Sequence, residues 1–212
     1  MNRTIGDTQI AGSLTPDDWK KFRATLTPGG DPDLWKKAFD DYFHTRLSLR
    51  YLGPIKVLQD NGTFQGEGFS IAAIQCSIVE FLESTVQGTS YRFVRKGDSP
   101  LGKYEYSSSS DIFISFLLKR MPFKTDFKTE QTARDFYEGV RCGLLHEART
   151  KSGWTIWAKD TGGRTADTVH KVMYRDNFQT GLLTFVDWYK GALLTDSALQ
   201  EAFVRKFNSL CV

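Results

Sequence analysis

Asp135 to Arg149 reads DFYEGVRCGLLHEAR, and the fold turns on how that stretch is read. Phe136, Tyr137, Val140 and Leu144 recur at helical spacing, so the segment is an amphipathic helix, capped by Thr129 or Thr132. Gly139 and Gly143 stand inside it, each about 1 kcal/mol worse than Ala in a helix interior. Glycines four apart share a face and let another backbone come close. The expected neighbour is a tightly apposed helix, from this chain or from a second copy. Arg141 and His146 lie about 140° apart around an ideal helix, so the site they suggest is one shared between paired helices.

Outward from the centre, helices dominate. Upstream, SIAAIQCSIVEFLESTVQG opens at Ser70 and is the most apolar segment; Ile71, Ile74, Ile78 and Leu82 mark its core face. A stripe of Ala73, Cys76, Ser77, Glu80, Ser84 and Gln87 stays small or polar. DIFISFLLKRM, capped by Ser110, ends before Pro122. Downstream, WTIWAKD and TVHKVMYRD read as two strands of a hairpin joined through Gly162 and Gly163. FQTGLLTFVDWYKGALL and DSALQEAFVRKFNSL close the chain as helices, the second capped by Asp196.

Near the start, TPDDWKKF (15–22) and DPDLWKKAF (31–39) each begin with a cap, Thr15 or Asp31, followed by Pro and acids in the first turn. The second should run from Asp33 to Leu52 and stop at Gly53-Pro54. Its His44, Arg46 and Arg50 are expected on a solvated face. Residues 1–12 read as a loose polar arm, and residues 91–110 as loop with a short strand, carrying Arg92, Arg95 and Lys96. The expectation is a mainly α protein: a bundle of about six helices with one small β-hairpin, divided into an N-terminal helical extension at 1–60 and a domain at 61–212.

The chain has 212 residues and a net charge of +3, which permits an anionic partner without demanding one. Three scattered cysteines, Cys76, Cys142 and Cys211, argue for a reducing compartment rather than a disulfide framework. The N-terminus has no apolar stretch of signal-peptide length, and no run approaches the roughly 18 apolar residues of a membrane span. These features lead to the expectation of a soluble, cytoplasmic protein without a membrane partner. His44, His146 and His170 lack metal-ligand spacing, the glycines at 62, 66 and 68 are not a dinucleotide fingerprint, and serines 107–110 lack a nucleophile elbow. No metal and no cofactor are expected.

Arg carries a permanently charged fork of donors suited to phosphate. His titrates near neutrality and is the usual acid–base group. The two together suit phosphodiester cleavage without a metal: the imidazole moves the proton and the guanidinium holds the developing charge. Against this stands a simpler arrangement, in which Arg141 pairs with Glu138 one turn away and His146 is a partly buried cap.

FYEGVRCGLLHEARTKSGW resembles the signature of the HEPN superfamily, all-helical domains with an Arg-x(4–6)-His motif. The likeness extends to the preceding helix with an acid in an apolar run (IVEFLE, around Glu80), and to WTIW through FVDWYKGAL. It covers roughly residues 70–195. It implies a metal-independent endoribonuclease site in a homodimer cleft, used in toxin–antitoxin or phage-defence systems alongside an antitoxin or sensor protein. On that resemblance Arg141 binds the scissile phosphate of RNA, His146 is the acid–base residue, and Glu80 orients Arg141. Two positions depart from the pattern. Cys142 follows the Arg where active members often carry a polar residue. Ala148 stands where members controlled by tyrosine modification carry Tyr. A non-catalytic module of the same fold, binding a nucleotide, RNA or a protein, is the alternative.

Overall fold

The computed structural model describes residues 8–62 and 66–211. In chain order the helices are α1 (Pro16–Arg23), α2 (Pro32–Ala38), α3 (Thr45–Leu47), α4 (Gly53–Asp60) and α5 (Glu67–Gln87). They continue as α6 (Ser109–Lys119), α7 (Glu130–Phe136), α8 (Gly143–Glu147), α9 (Arg175–Leu193) and α10 (Ser197–Ser209). The strands are β1 (Ser90–Tyr91), β2 (Glu105–Tyr106), β3 (Thr155–Trp157), β4 (Ala166–Asp167) and β5 (Val172–Tyr174). The protein is mainly α, with a few short strands.

Four helix starts follow their expected caps, whereas α6 begins at Ser109, one residue ahead of the expected cap Ser110, and its N-cap Ser108 makes no side-chain cap bond. The Thr15 hydroxyl accepts from the Asp18 N–H while the Asp18 carboxylate accepts from the Thr15 N–H, a complete capping box. Asp31, Thr129 and Asp196 cap α2, α7 and α10 through their side-chain oxygens. The expected stop at Gly53-Pro54 does not occur. A π-helical turn, Ser48–Leu52, precedes it, and Gly53 donates to the Ser48 carbonyl five residues back. Such a wide turn tolerates the N–H that proline lacks, and helix continues to Asp60.

The strands differ from the expected hairpin. β3 pairs with β5 in parallel, and β4 lies antiparallel on the other side of β5. The residues between β3 and β5 supply the third strand, so the two expected strands never form a tight turn. β1 and β2 form a separate parallel pair.

Two compact units interleave along the chain. One is drawn from Met1–Gly53, Ser84–Ser107 and Trp188–Val212; the other from Pro54–Glu83 and Ser108–Asp187. The division expected at residue 60 follows chain order; these units do not. In the first, Trp19 packs on Tyr42, Phe203 and Phe207, and its indole donates to Asn208. Gly88 has φ +64°, and a Cβ there would lie 2.6 Å from the Cα of Ala202, so only glycine fits. Of the expected loose arm, residues 1–7 lie outside the described residues. Ile10 and Ala11 are buried, and Arg46 and Arg50 donate to the carbonyls of Ile10 and Gln9. Those two arginines therefore clasp the arm rather than face only solvent.

In the second unit Phe136 contacts Phe113, Phe127, Trp154 and Phe178, while Phe116 contacts Phe123 and Phe185. α5 is by length and composition apolar enough to cross a membrane, which the sequence reading did not anticipate. Yet Gln75, Glu83, Ser84 and Thr85 are all fully buried along it. Cys76 and Ser84, expected on its small or polar stripe, are buried as well.

Candidate functional site

Arg141 sits on a π-helical turn, Tyr137–Cys142, between α7 and α8. Such turns add one residue to a helical circuit and recur at functional sites. α8 is short. It ends at Glu147 because Ala148 adopts the left-handed conformation at φ 53°, a geometry costing a non-glycine residue about 1–2 kcal/mol.

The chain after Ala148 folds straight back on the helix. The Lys151 N–H donates to the Gly139 carbonyl at 2.7 Å, and the Arg149 N–H reaches the Gly143 carbonyl at 3.4 Å. A Cβ on Gly139 would lie 2.3 Å from Trp154 Cδ1 and 3.1 Å from the Lys151 carbonyl oxygen. A Cβ on Gly143 would lie 2.5 Å from the Arg149 carbonyl oxygen. The two glycines therefore admit a returning loop of this same chain, not the helix the sequence led us to expect. Trp154 is pinned from its far side, its indole donating to Asp135, which also pairs with Lys171 at 3.0 Å.

Arg141 faces α5. Its Nη2 lies 3.8 Å from Glu80 Oε2, and its guanidinium carbon stands 5.3 Å from the centre of the Tyr137 ring. The side chains of Arg141 and Glu80 are 18% and 22% exposed, so both are within reach of solvent. The Ser109 hydroxyl donates to the other Glu80 oxygen at 2.9 Å. The acid beside Arg141 is thus Glu80, brought from α5, and not Glu138 of its own helix. The Arg141 charge is felt by two neighbours. Burial pushes the Tyr137 hydroxyl up to about 12, with the guanidinium pulling the other way. Complete burial likewise pushes the Cys76 thiol up to about 12 against the same opposing charge.

His146 lies in the last turn of α8, exposed, and no hydrogen bond or ion pair engages it among the described residues. It is not a partly buried cap. Leu145 beside it is also exposed. Glu147 pairs with Arg149 at 2.9 Å and also with Lys151.

Sequence reasoning singled out Glu80 and missed its neighbours. Glu83, one turn on and fully buried, takes two hydrogen bonds from Arg120, at 2.7 and 3.1 Å, and one from Ser115. The signal was available: two acids in an apolar helix each demand a partner. Ser109 and Tyr137 carried no comparable signal. His170, noted as a strand residue, sits in the turn before β5 with Nδ1 3.0 Å from Asp167 Oδ2. The same oxygen accepts from Arg164 at 2.7 Å, so the group ties together the loop around β4.

No family model, no curated protein and no solved structure matches this chain.

Proposed function

We propose that the protein is a metal-independent endoribonuclease of HEPN type, acting as a toxin or phage-defence effector. The observation that carries the reading is the approach of Glu80 to Arg141 across two helices, five residues before an exposed His146. An acid, a guanidinium and an imidazole in that relation suit a phosphodiester. Arg141 contacts the scissile phosphate and holds the charge that grows on its oxygens. Glu80, steadied by Ser109, sets the direction of the guanidinium.

The reaction is a transfer within RNA. The ribose 2′-oxygen bonds to phosphorus, the bond from phosphorus to the 5′-oxygen breaks, and a cyclic phosphate and a free 5′-hydroxyl result. Two protons move: one leaves the 2′-hydroxyl, one arrives on the 5′-oxygen. His146 suits either transfer. Each chain supplies a single motif imidazole, so a homodimer supplies the pair. Purified protein incubated with RNA in EDTA is expected to cleave it, and His146→Ala to leave it intact. Intact RNA with wild-type protein, or cleavage unchanged in His146→Ala, defeats the proposal.

One observation favours the non-catalytic alternative. Most of the Arg141 side chain is covered, between Glu80 and the Tyr137 ring. In that case Arg141→Ala weakens RNA or nucleotide binding and no product forms under any condition.

A further inference from the structure

The loop between β1 and β2 is held from inside and bare outside. Arg92 donates to the Glu105 carboxylate at 2.7 Å and to the carbonyls of Ser99 and Pro100. Glu105 also accepts from the Gly102 N–H, and Asp98 accepts from the Arg95 N–H. Both acids of the loop are therefore turned onto its own frame. Asp98 stays exposed while it accepts that bond, and the large or charged side chains that share the outer face with it are apolar or cationic. Phe93 is 65% exposed, with Tyr91, Val94, Leu101 and Tyr104 also exposed. Arg95, Lys96 and Lys103 are exposed, and none carries an ion pair among the described residues. Five large apolar side chains and three cations thus share fourteen residues, on a frame fixed before any partner arrives.

We propose that this loop docks peripherally on an anionic lipid surface. The charge is complementary to acidic headgroups, and long cationic side chains can reach them while apolar neighbours enter the acyl boundary. A single-stranded nucleic acid fits less well, because it needs free aromatic faces on which bases stack. Tyr104 already lies beneath Arg205 at 4.3 Å and Lys103 at 5.1 Å, and Tyr91 meets Tyr106 edge-on. Among the described residues of this loop only Phe93 offers an uncovered ring, whereas Val94 and Leu101 add area useful to lipid and useless for stacking. This revises the expectation of no membrane partner, which rested on the search for spans. It does not depend on the cleavage reading.

The test is co-sedimentation of the full chain with phosphatidylcholine vesicles, with and without phosphatidylserine, alongside titration with oligouridine. Binding should require phosphatidylserine and weaken with salt. Each cation near an anionic surface contributes about fivefold, so Arg95→Gln with Lys96→Gln should weaken it about 25-fold. Phe93→Ser with Leu101→Ser should weaken what binding persists at high salt. All four positions are exposed, and unchanged circular dichroism melts would confirm intact folding. No sedimentation, equal sedimentation with neutral vesicles, or oligouridine binding that alone responds to these substitutions overturns the proposal.

Discussion

Gly139→Ala tests the reading of the central helix, because two explanations of that glycine predict opposite signs. Alanine is a better helix former by about 1 kcal/mol, so a glycine kept only for contact with a second copy would, once replaced, stabilise the isolated chain. The structure says otherwise. The new Cβ would sit 2.3 Å from Trp154 Cδ1 and 3.1 Å from the Lys151 carbonyl oxygen. Trp154 cannot swing aside without breaking its indole bond to Asp135. Overpacking of this kind costs about 1–3 kcal/mol. Set against the gain in propensity, the net is a destabilisation of up to about 2 kcal/mol, or up to roughly 8 °C in melting temperature for a chain of this size. Gly143→Ala should behave alike, since its Cβ would lie 2.5 Å from a backbone oxygen of Arg149, which moves less readily than a side chain. Thermal and urea melts of the two variants measure the effect. A double-mutant cycle of Gly139→Ala with Trp154→Ala should show coupling, the second change relieving part of the first. A melting temperature that rises in either glycine variant, with loss of an oligomer, would refute the argument and restore the helix-to-helix explanation.

Other expectations follow from the same packing. Arg120→Ala takes the guanidinium away from the fully buried Glu83 carboxylate, leaving its charge buried beside the Ser115 hydroxyl, and should cost about 3–5 kcal/mol in urea denaturation; adding Glu83→Gln should recover part of it. Asp167 is held well below its ordinary carboxyl value of 3.8 by the His170 N–H, then by the His170 ring and the Val169 N–H. A depressed native value means the contribution is present above that ordinary value and lost as pH falls toward the lower one. The stability gap between wild type and Asp167→Asn should therefore narrow below about pH 4 in pH-dependent melts. If two copies share the proposed cleavage site and each supplies one of its two imidazoles, an equal mixture of wild type and inactive His146→Ala should, after subunit exchange, retain about a quarter of wild-type cleavage, since only about a quarter of the dimers keep both imidazoles. Retention of about half would assign the whole reaction to one chain.

Local chemistry was legible in the sequence and distant pairing was not. Thr15, Asp31, Thr129 and Asp196 could be read as caps because each satisfies an N–H within three residues of itself. Gly53-Pro54 misled because the signal that proline ends a helix assumes α geometry, and a π-helical turn precedes it. The hairpin misled because alternation identifies strands but not their partners, and β4 is only two residues long. The returning loop was hidden for a different reason. It depends on Ala148 and Ser152 adopting left-handed conformations that glycine usually marks. At the site, Arg141, His146 and Glu80 were all named from sequence, yet only Glu80 and Arg141 are shown near one another.

The two acid–arginine pairs on α5 separate what holds the fold from what is free to act. Glu83 and Arg120 meet at 2.7 Å through two bonds, with the carboxylate wholly covered. A ligand could reach that guanidinium only by leaving a buried charge behind, at a cost of several kcal/mol. Glu80 and Arg141, one turn away, stand 3.8 Å apart, beyond hydrogen-bond length, with both side chains about one-fifth exposed. A phosphate arriving there competes with an acid 3.8 Å from the guanidinium, and the Ser109 hydroxyl donates to that carboxylate's other oxygen. The glycine face of the same helix is already closed by residues 149–154. If two copies pair as proposed, the side that bears Leu145 and His146 is left for the second one, which is where the proposed cleavage needs its second imidazole.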